Sequence, residues 1–370
     1  MKKYLFSTIV LLSFSILWIS WGSVGHSKIS ECSANSFNQQ MEQFQAWAGF
    51  LADHASDADY RKDTDPNEAS KHYIDIDSYS GFLANGRIPQ TLDSAIAIYG
   101  FSFVKENGFL PWSTVTAFDS LRNCMHRNDW EKAKIFAADL GHYVGDGHMP
   151  LHITTNYNGQ LSGNSGIHSR YESTMINAYV SEIVYTGYDA EEIENVNQFV
   201  FDYIYSNYAL VDSVLWADNY AKSLSSNYSS STYKQALWEK SKGFTVPLFK
   251  RASHVLADLI YTAWVQADSP MIDASAIEEQ ASASKAVLDQ NFPNPFTAST
   301  QISFTLKENS KVLLQVRNIS GQTVSTLMND TLDEGKHTAE WKPGNISDGL
   351  YYLVLNTGKA IQIKKMVLVK

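Results

Sequence analysis

The sequence predicts a mainly α-helical domain followed by a small all-β sandwich domain, and three observations carry this prediction. Apolar residues recur at helical spacing in several long segments, and period-2 alternation is scarce before residue 275. A small, polar segment, DASAIEEQASASKA, then has the composition of a linker. Short alternating runs separated by turn signals make up the rest. The chain has 370 residues, which is enough for two such domains.

Residues 1–20 are predicted to be a secretory signal peptide. Two lysines form a charged start, and an apolar run extends from Leu5 to Ile19. A membrane anchor is the alternative, but the run is short for a spanning helix and serines interrupt it, which favours export. We expect cleavage after Ser20, although Trp18 is larger than the residues that signal peptidases prefer near the cut.

Helices are predicted in four segments of the first domain, which we place at residues 21–270. Apolar side chains at helical spacing mark residues 37–60, 130–148, about 196–221 and about 246–267. Pro247 suits a first helical turn, so the last helix is predicted to begin beside it. The predicted linker covers residues 271–287.

Charge and cysteine content restrict the function classes. The formal net charge of −10 weighs against broad binding to a nucleic-acid backbone, but it does not exclude a metal-centred site that binds phosphate. The two cysteines, Cys32 and Cys124, allow one disulfide and no disulfide framework; whether they pair is left open. No CxxC motif is present, so a zinc site would need His and carboxylate ligands.

The chemistry is concentrated in GHYVGDGHMPLH and in GIHSRYE a little further on. His142 and Asp146 are four residues apart, as are His168 and Glu172, and on a helix this spacing places both side chains on one face. An imidazole and a carboxylate side by side can bind one cation, and this donor pair suits Zn²⁺. Either pair alone is more often structural. The two together, with His152 between them, indicate a metal site.

A carboxylate-rich stretch, SDADYRKDTDPNE, precedes His72 in KHYIDID. We predict that most of these acids form a solvated loop. Residues expected to orient the imidazoles are Asp75, Asp77, Asn156 and His148, all more typical of structural residues than of ligands.

The order W-G-x-x-G-H, then ADY, HYID, HYVGD…PLH and HSRYE, resembles the zinc-dependent phospholipase C / S1–P1 nuclease superfamily over residues 21–270. That resemblance implies a helical fold with three zinc ions that cleaves phosphodiesters. It implies that the first zinc of a close pair is held by Asp59, His72, His142 and Asp146, with Asp57 as the alternative to Asp59. Its partner would be held by the bridging Asp146, by His26 and by the N-terminal amine and carbonyl of Trp21. The third zinc would be held by His152, His168 and Glu172.

The resemblance also implies a reaction. Two close zinc ions would present a bridging hydroxide to the phosphorus and neutralise the phosphate oxygens, and Asp59 would orient or deprotonate the attacking water. Glu172, the short span from His152 to His168, and Tyr60 as a substrate-binding residue favour a phospholipase C acting on a phospholipid head group. The opening W-G-x-x-G-H favours the alternative, an S1/P1-type nuclease of single-stranded nucleic acid with 3′-nucleotidase activity. A non-catalytic zinc-binding secreted protein is the second alternative.

Residues 288–370 resemble the C-terminal sorting domain of the type IX secretion system. NFPNPF before a strand and the basic, apolar end KKMVLVK carry this resemblance. It implies passage through the periplasm, contact with the type IX machinery, and a final position outside the cell or on its surface. A generic or carbohydrate-binding β-sandwich is the alternative.

Overall fold

A computed structural model describes residues 22–272, 286–318, 323–344, 346–357 and 361–369. The predicted signal peptide, Trp21 and most of the predicted linker lie outside the described residues. The helices of the first domain are α1 (Gly22–Ser33), α2 (Trp47–Asp53), α3 (Asp57–Arg61), α4 (Ser80–Asn85), α5 (Leu92–Tyr99), α6 (Phe101–Glu106), α7 (Leu110–His126), α8 (Trp130–Gly147), α9 (Ile167–Ser169), α10 (Ile176–Tyr179), α11 (Val196–Tyr208), α12 (Val211–Leu224) and α13 (Ser231–Val265). A π-helical turn, Arg170–Met175, joins α9 to α10, and short 3₁₀ turns lie at Ala34–Ser36, Gln39–Phe44, Ala69–Lys71, Ile76–Ser78, Pro150–His152 and Val180–Glu182.

The prediction of a mainly helical first domain is confirmed, with differences in detail. The predicted helix 130–148 is α8, which begins where the Asp129 side chain accepts a hydrogen bond from the backbone N–H of Lys132. The predicted helix 196–221 is two helices, α11 and α12, separated at residues 209–210. Residues 37–60 form a 3₁₀ turn followed by the short helices α2 and α3 rather than one helix.

The predicted start of the last helix at Pro247 is wrong. Pro247 lies inside α13, which begins sixteen positions earlier, where Ser230 caps the helix by accepting a hydrogen bond from the Tyr233 N–H. A proline in a helix interior removes a backbone donor and crowds the carbonyl four residues before it, here that of Gly243. The surrounding packing overrides this penalty, since Thr245 and Leu248 on either side of the proline are both buried.

Aromatic residues form the part of the core that lies under α2. Phe44 is fully buried, with ring centroids 4.8 Å from Trp47, 6.2 Å from Trp130 and 6.1 Å from Trp264. These rings come from the segment before α2, from α2, from the start of α8 and from the end of α13, so the cluster joins four parts of the chain that are far apart in sequence.

Two glycines on α8 let neighbouring helices approach closely. A Cβ on Gly141 would lie 2.9 Å from Leu256 on α13 and 3.0 Å from Ser30 on α1. A Cβ on Gly145 would lie 2.8 Å from Nδ1 of His26, also on α1. Only glycine leaves room for these contacts, and they place α1 directly against the face of α8.

The second domain is an antiparallel β-sandwich. Its strands are β1 (Ala286–Leu288), β2 (Thr300–Leu306), β3 (Ser310–Asn318), β4 (Thr323–Leu332), β5 (Gly335–Trp341), β6 (Gly349–Asn356) and β7 (Ile361–Leu368). One sheet has the order β1-β2-β5 and the other β4-β3-β6-β7. Inward-facing residues of both sheets, such as Phe304 and Leu353, share one core. The predicted sandwich is therefore confirmed.

The sequence patterns did not indicate β4. This strand, TVSTLMNDTL, has no buried residue and pairs with β3 through two register shifts, so its apolar positions do not alternate regularly.

Cys32 and Cys124 are both buried and both free. Among the residues that the structure describes, no helix combines the length and apolar character needed to cross a bilayer.

Replacing Phe44 with alanine tests the aromatic cluster. We expect Phe44→Ala to lower the free energy of unfolding of the helical domain by about 3–5 kcal/mol, because a fully buried ring leaves a cavity among three tryptophans. Denaturant unfolding followed by tryptophan fluorescence measures this loss. Phe101→Ala is the control, since that side chain is 56% exposed and should change stability little. Equal losses in the two variants would contradict the proposed importance of the cluster.

Candidate metal centre

Helix α8 carries the central pair of the site. His142 and Asp146 are fully buried and lie one turn apart on the same face, as their spacing predicts. Nε2 of His142 is 3.3 Å from Oδ2 of Asp146. Because Gly145 admits α1, His26 reaches the same carboxylate, with its Nε2 3.5 Å from Oδ1. His26, His142 and Asp146 thus form the first group of converging donors.

A second group shares His142 and adds Asp59 from α3 and His72 from the segment between α3 and α4. Nδ1 of His72 lies 3.1 Å from Oδ2 of Asp146 and 2.9 Å from Nε2 of His142. Oδ1 of Asp59 lies 3.5 Å from the same His72 nitrogen and 3.6 Å from the same His142 nitrogen. Asp59, His72 and His142 are therefore able to hold one cation next to the first group.

The third group lies on the other side of Asp146. Nε2 of His152 and Nε2 of His168 are 3.2 Å apart, and Oε2 of Glu172 lies 3.6 Å and 3.2 Å from them. His168 is in α9 and Glu172 in the π turn that follows, which keeps their side chains on one side. Nδ1 of His152 is 3.4 Å from Oδ1 of Asp146, so this group adjoins the first.

Backbone carbonyls set the orientation of three of the imidazoles. Nδ1 of His142 bonds to the carbonyl of Ala55 at 2.7 Å, and Nδ1 of His152 to that of His72 at 2.6 Å. Nδ1 of His168 bonds to the carbonyl of Tyr157 at 3.0 Å. A carbonyl can only accept, so each Nδ1 carries the hydrogen and each Nε2 presents a lone pair to the cluster in the neutral ring. This is the usual support of a metal-bound histidine.

The donor set fits a cation. Ligand nitrogens about 2.0–2.1 Å from a tetrahedral Zn²⁺ are about 3.3 Å from one another, which is the range of the separations above. In the third group, Oε2 of Glu172 is buried and accepts no hydrogen bond from the residues that the structure describes. Three acceptor atoms that face one another need a proton or a cation between them, and imidazole nitrogen with carboxylate oxygen is a zinc donor set.

The charges of the centre depend on one another. Burial raises the pKa of Asp146, but His142 and His152 outweigh it and hold that pKa well below its usual range. Burial lowers the pKa of His142, but Asp146 and Asp59 outweigh it and raise the pKa to about 9. Burial and the charge of His142 lower the pKa of His26 to about 4. A cation would therefore compete with a proton, so metal affinity should fall at low pH.

Residues 290–370 match the family described as secretion system C-terminal sorting domain. This match confirms the prediction of a type IX sorting domain, and with it a protein that is exported to the cell exterior or surface. The β-sandwich is hereafter called the sorting domain.

Two solved structures are similar to the chain at low identity. The alpha toxin from Clostridium absonum is 12% identical, with a TM-score of 0.43 over 94% of this chain and 95% of that chain. The alpha-toxin from an avian strain of Clostridium perfringens is 12% identical, with a TM-score of 0.41 over 95% of this chain and 97% of that chain. No curated protein matches the sequence.

Eight of the nine predicted ligands are brought together by the fold, and the ninth, Trp21, lies outside the described residues. Asp59 rather than Asp57 faces the centre, because Asp57 pairs instead with His54 at 2.7 Å. The predicted substrate-binding residue, Tyr60, lines a separate cavity, where the guanidinium of Arg317 from the sorting domain lies 5.5 Å from its ring centroid.

Glu68 is an exception to the prediction that most of the acids before His72 form a solvated loop. This side chain is fully buried, and its Oε1 accepts a hydrogen bond from the Tyr143 hydroxyl at 2.6 Å. Burial raises the pKa of Glu68, but His72, Lys71 and Tyr143 hold it well below its usual range. Glu68 precedes His72 by four residues, the same spacing as the two ligand pairs, and this signal could have distinguished it from its neighbours.

A pocket opens onto the centre from one side. It is lined by Lys62, Ala69, His72, Tyr73, Asp75, Leu151, His152, Tyr157 and His168. Nζ of Lys62 donates to Oδ1 of Asp59 at 2.6 Å. The positively charged ammonium group of Lys62 therefore lies where the pocket meets the predicted ligands. Burial, with the nearby charge of Asp77, raises the pKa of Asp75 to about 7.

The other residues expected to orient the imidazoles have different contacts. Asp77 accepts hydrogen bonds from the Thr154 hydroxyl at 2.6 Å and from the Thr155 N–H at 2.8 Å, which anchors the chain just after His152. His148 stacks on Tyr203 away from the ligands. Asn156 bonds within the loop that leads to His168, through Leu161 and Ser162.

A salt bridge that the sequence patterns did not indicate supports the third group. The Arg170 guanidinium bonds to the buried carboxylate of Asp218 on α12 at 3.0 Å and to the carbonyl of Asn164 at 3.1 Å. Arg170 lies between His168 and Glu172 in sequence, so this brace fixes the turn that carries both ligands.

Adding a methyl group at Gly145 tests the close approach of α1. We expect Gly145→Ala to displace His26 and to lower the zinc content of the purified protein, because the new Cβ would lie 2.8 Å from Nδ1 of His26. Elemental analysis measures the zinc per chain. Gly243→Ala on α13 is the control, since its Cβ would meet nothing within 4 Å. Equal zinc contents in the two variants would show that His26 does not need this space.

Proposed function

We propose that the helical domain is a zinc-dependent hydrolase of phosphodiesters, of the phospholipase C type. One observation carries the proposal: three groups of buried imidazoles and carboxylates converge around Asp146, with donor separations that suit a cation. The resemblance of the sequence motifs to the zinc-dependent phospholipase C / S1–P1 nuclease superfamily supports zinc as the cation and phosphate esters as the substrate.

The pocket supports a catalytic rather than a purely structural centre. A structural zinc site is closed by its four protein ligands, whereas a catalytic one keeps a position for water or substrate. Here His72, His152 and His168 each line a cavity open to solvent, so ligands of two groups can be approached from the same side. A scaffold protein would have no need of this access.

Zinc, when bound, would supply Lewis acidity and a water activated at neutral pH. The chain's own residues supply the rest. Asp59 faces both the ligand cluster and Lys62, so its carboxylate can hold the attacking water in place. Lys62 places a positive charge at the pocket wall, where it can receive a phosphate oxygen. Tyr73, Leu151 and Tyr157 line the remainder of the pocket and restrict water around the substrate.

The substrate assignment to phospholipid rests on Glu172 and on the short span from His152 to His168. An S1/P1-type nuclease would have the same metal ligands and is the alternative. The first experiment distinguishes it from a phospholipase C.

The exported protein should hydrolyse phosphatidylcholine and release diacylglycerol only when zinc is bound. A side-by-side assay on phosphatidylcholine and on single-stranded DNA, with and without chelator, measures this. Asp146→Asn and His142→Ala should abolish turnover, because His142 belongs to two groups and the oxygens of Asp146 face an imidazole of each group. His126→Ala is the matched control, since its side chain is 64% exposed and belongs to none of the three groups.

Each other outcome of that assay has a definite meaning. Chelator-sensitive cleavage of DNA, without hydrolysis of phosphatidylcholine, would assign the protein as a nuclease and not as a phospholipase C. Bound zinc without turnover on either substrate would show a non-catalytic zinc protein. Normal turnover rates in Asp146→Asn would contradict the assignment of the metal centre itself.

Removing the charge of Lys62 should weaken substrate binding. We expect Lys62→Met to raise KM for a phosphodiester roughly tenfold or more, because a charge-assisted hydrogen bond contributes about 1.5–3 kcal/mol. Steady-state kinetics at matched zinc content measure KM, and Lys62→Arg should restore much of it. Lys132→Met on the exposed face of α8 is the control. An unchanged KM with full zinc occupancy would exclude Lys62 from phosphate binding.

A further inference from the structure

The ring nitrogens of His72 have different surroundings from those of the three histidines whose Nδ1 bonds to a backbone carbonyl. Its Nδ1 faces Asp146 and Asp59, at 3.1 Å and 3.5 Å. Its Nε2 points the other way, is buried, and makes no hydrogen bond within the described part of the chain. A neutral imidazole that gives one lone pair to a metal must carry its hydrogen on the other nitrogen. The Nε2–H of His72 therefore needs an acceptor in the protein.

The Glu68 carboxylate is an acceptor close to this nitrogen. Its Oε1 lies 3.6 Å from Nε2 of His72, on the opposite side of the ring from the cluster. This distance is an ion-pair distance, a few tenths of an ångström longer than a hydrogen bond. Glu68 and His72 are joined by the turn Ala69–Lys71, so the two side chains are held together by local backbone as well as by charge.

Three further donors hold this carboxylate in place. The hydroxyl of Tyr143 lies 2.6 Å and Nη2 of Arg61 3.3 Å from Oε1, while Nζ of Lys71 lies 2.6 Å from Oε2. Tyr143 follows the ligand His142 directly, and Arg61 also bonds to Asp139 on α8 at 2.9 Å. The carboxylate is thereby fixed relative to the helix that carries the central ligands.

We propose that Glu68 is a positioning residue of the metal centre: its carboxylate accepts the Nε2–H of His72, which keeps the Nδ1 lone pair directed at the cation. The inference rests on the proposed function, because it concerns zinc bound by His72. A carboxylate that accepts from a metal-bound imidazole raises the basicity of that ligand and fixes its orientation. In contrast to a purely structural ion pair, Glu68 then affects zinc affinity beyond its effect on folding.

Zinc binding by the full-length chain tests this role. We expect Glu68→Gln to weaken zinc binding about 10–100-fold, the usual effect of losing such a partner. Competition with a chelator of known affinity, starting from the zinc-free protein, measures this change, and thermal unfolding of the zinc-free form is measured in parallel. The visible spectrum of the cobalt-substituted protein should also change, because one ligand loses its charged partner.

Tyr143→Phe is the matched control. It removes one hydrogen bond to the same carboxylate and leaves its charge beside His72 intact. We expect this variant to lower the stability of the zinc-free protein and to keep zinc affinity and the cobalt spectrum close to those of the wild type. Equal zinc affinities in Glu68→Gln and the wild type would overturn the proposal. A loss of zinc affinity in both variants, in proportion to the loss of stability of each zinc-free protein, would overturn it as well.

A measurement on the wild type covers the case in which Glu68→Gln does not fold. ¹⁵N NMR of the histidine side chains in the zinc-loaded protein should show His72 protonated at Nε2 and bound to metal through Nδ1. The opposite tautomer would overturn the proposal. A wild-type protein that binds no zinc would instead show that the proposed function fails, so the two failures are distinguishable.

Discussion

The carboxylate of Asp146 is the point on which the centre depends. It has no exposure to solvent, and its two oxygens divide the neighbouring imidazoles between them. Oδ1 faces His26 and His152, and Oδ2 faces His72 and His142. A buried carboxylate is stable only among groups of opposite charge or hydrogen-bond donors. Three other chain segments therefore have to meet α8 at this residue, and Gly145 leaves the space for His26 among them.

Much of the centre could be predicted from sequence because its ligands occur in local patterns. The four-residue spacings of His142 with Asp146 and of His168 with Glu172 report a shared helical face, whatever the rest of the fold. Most residues that support the ligands follow no such local rule. Glu68 occurs in a run of acids whose composition is typical of a surface loop; its four-residue spacing from His72 is a local signal, but its contacts with Arg61 and Tyr143 are tertiary.

The same limit applies to the fold. Alternation within single strands predicted most of the sandwich, because each strand records its own buried face. Strand β4 is recognised only by its pairing with β3, and its register shifts remove the alternation. Pro247 is typical of a first helical turn, but α13 extends through it from Ser231. Local patterns thus report faces, while the ends of elements and the supporting contacts depend on partners elsewhere in the chain.

The ligands extend from His26 in α1 to Glu172 in the π turn, so no short segment of the chain contains the site. An unfolded chain has no matching arrangement of donors, and a cation that binds only the folded protein stabilises it by mass action. At a free concentration one hundred times the dissociation constant, this contribution is about 2.7 kcal/mol. With zinc bound as proposed, the persistence of the folded state would depend on the zinc of the surrounding medium as well as on the aromatic core.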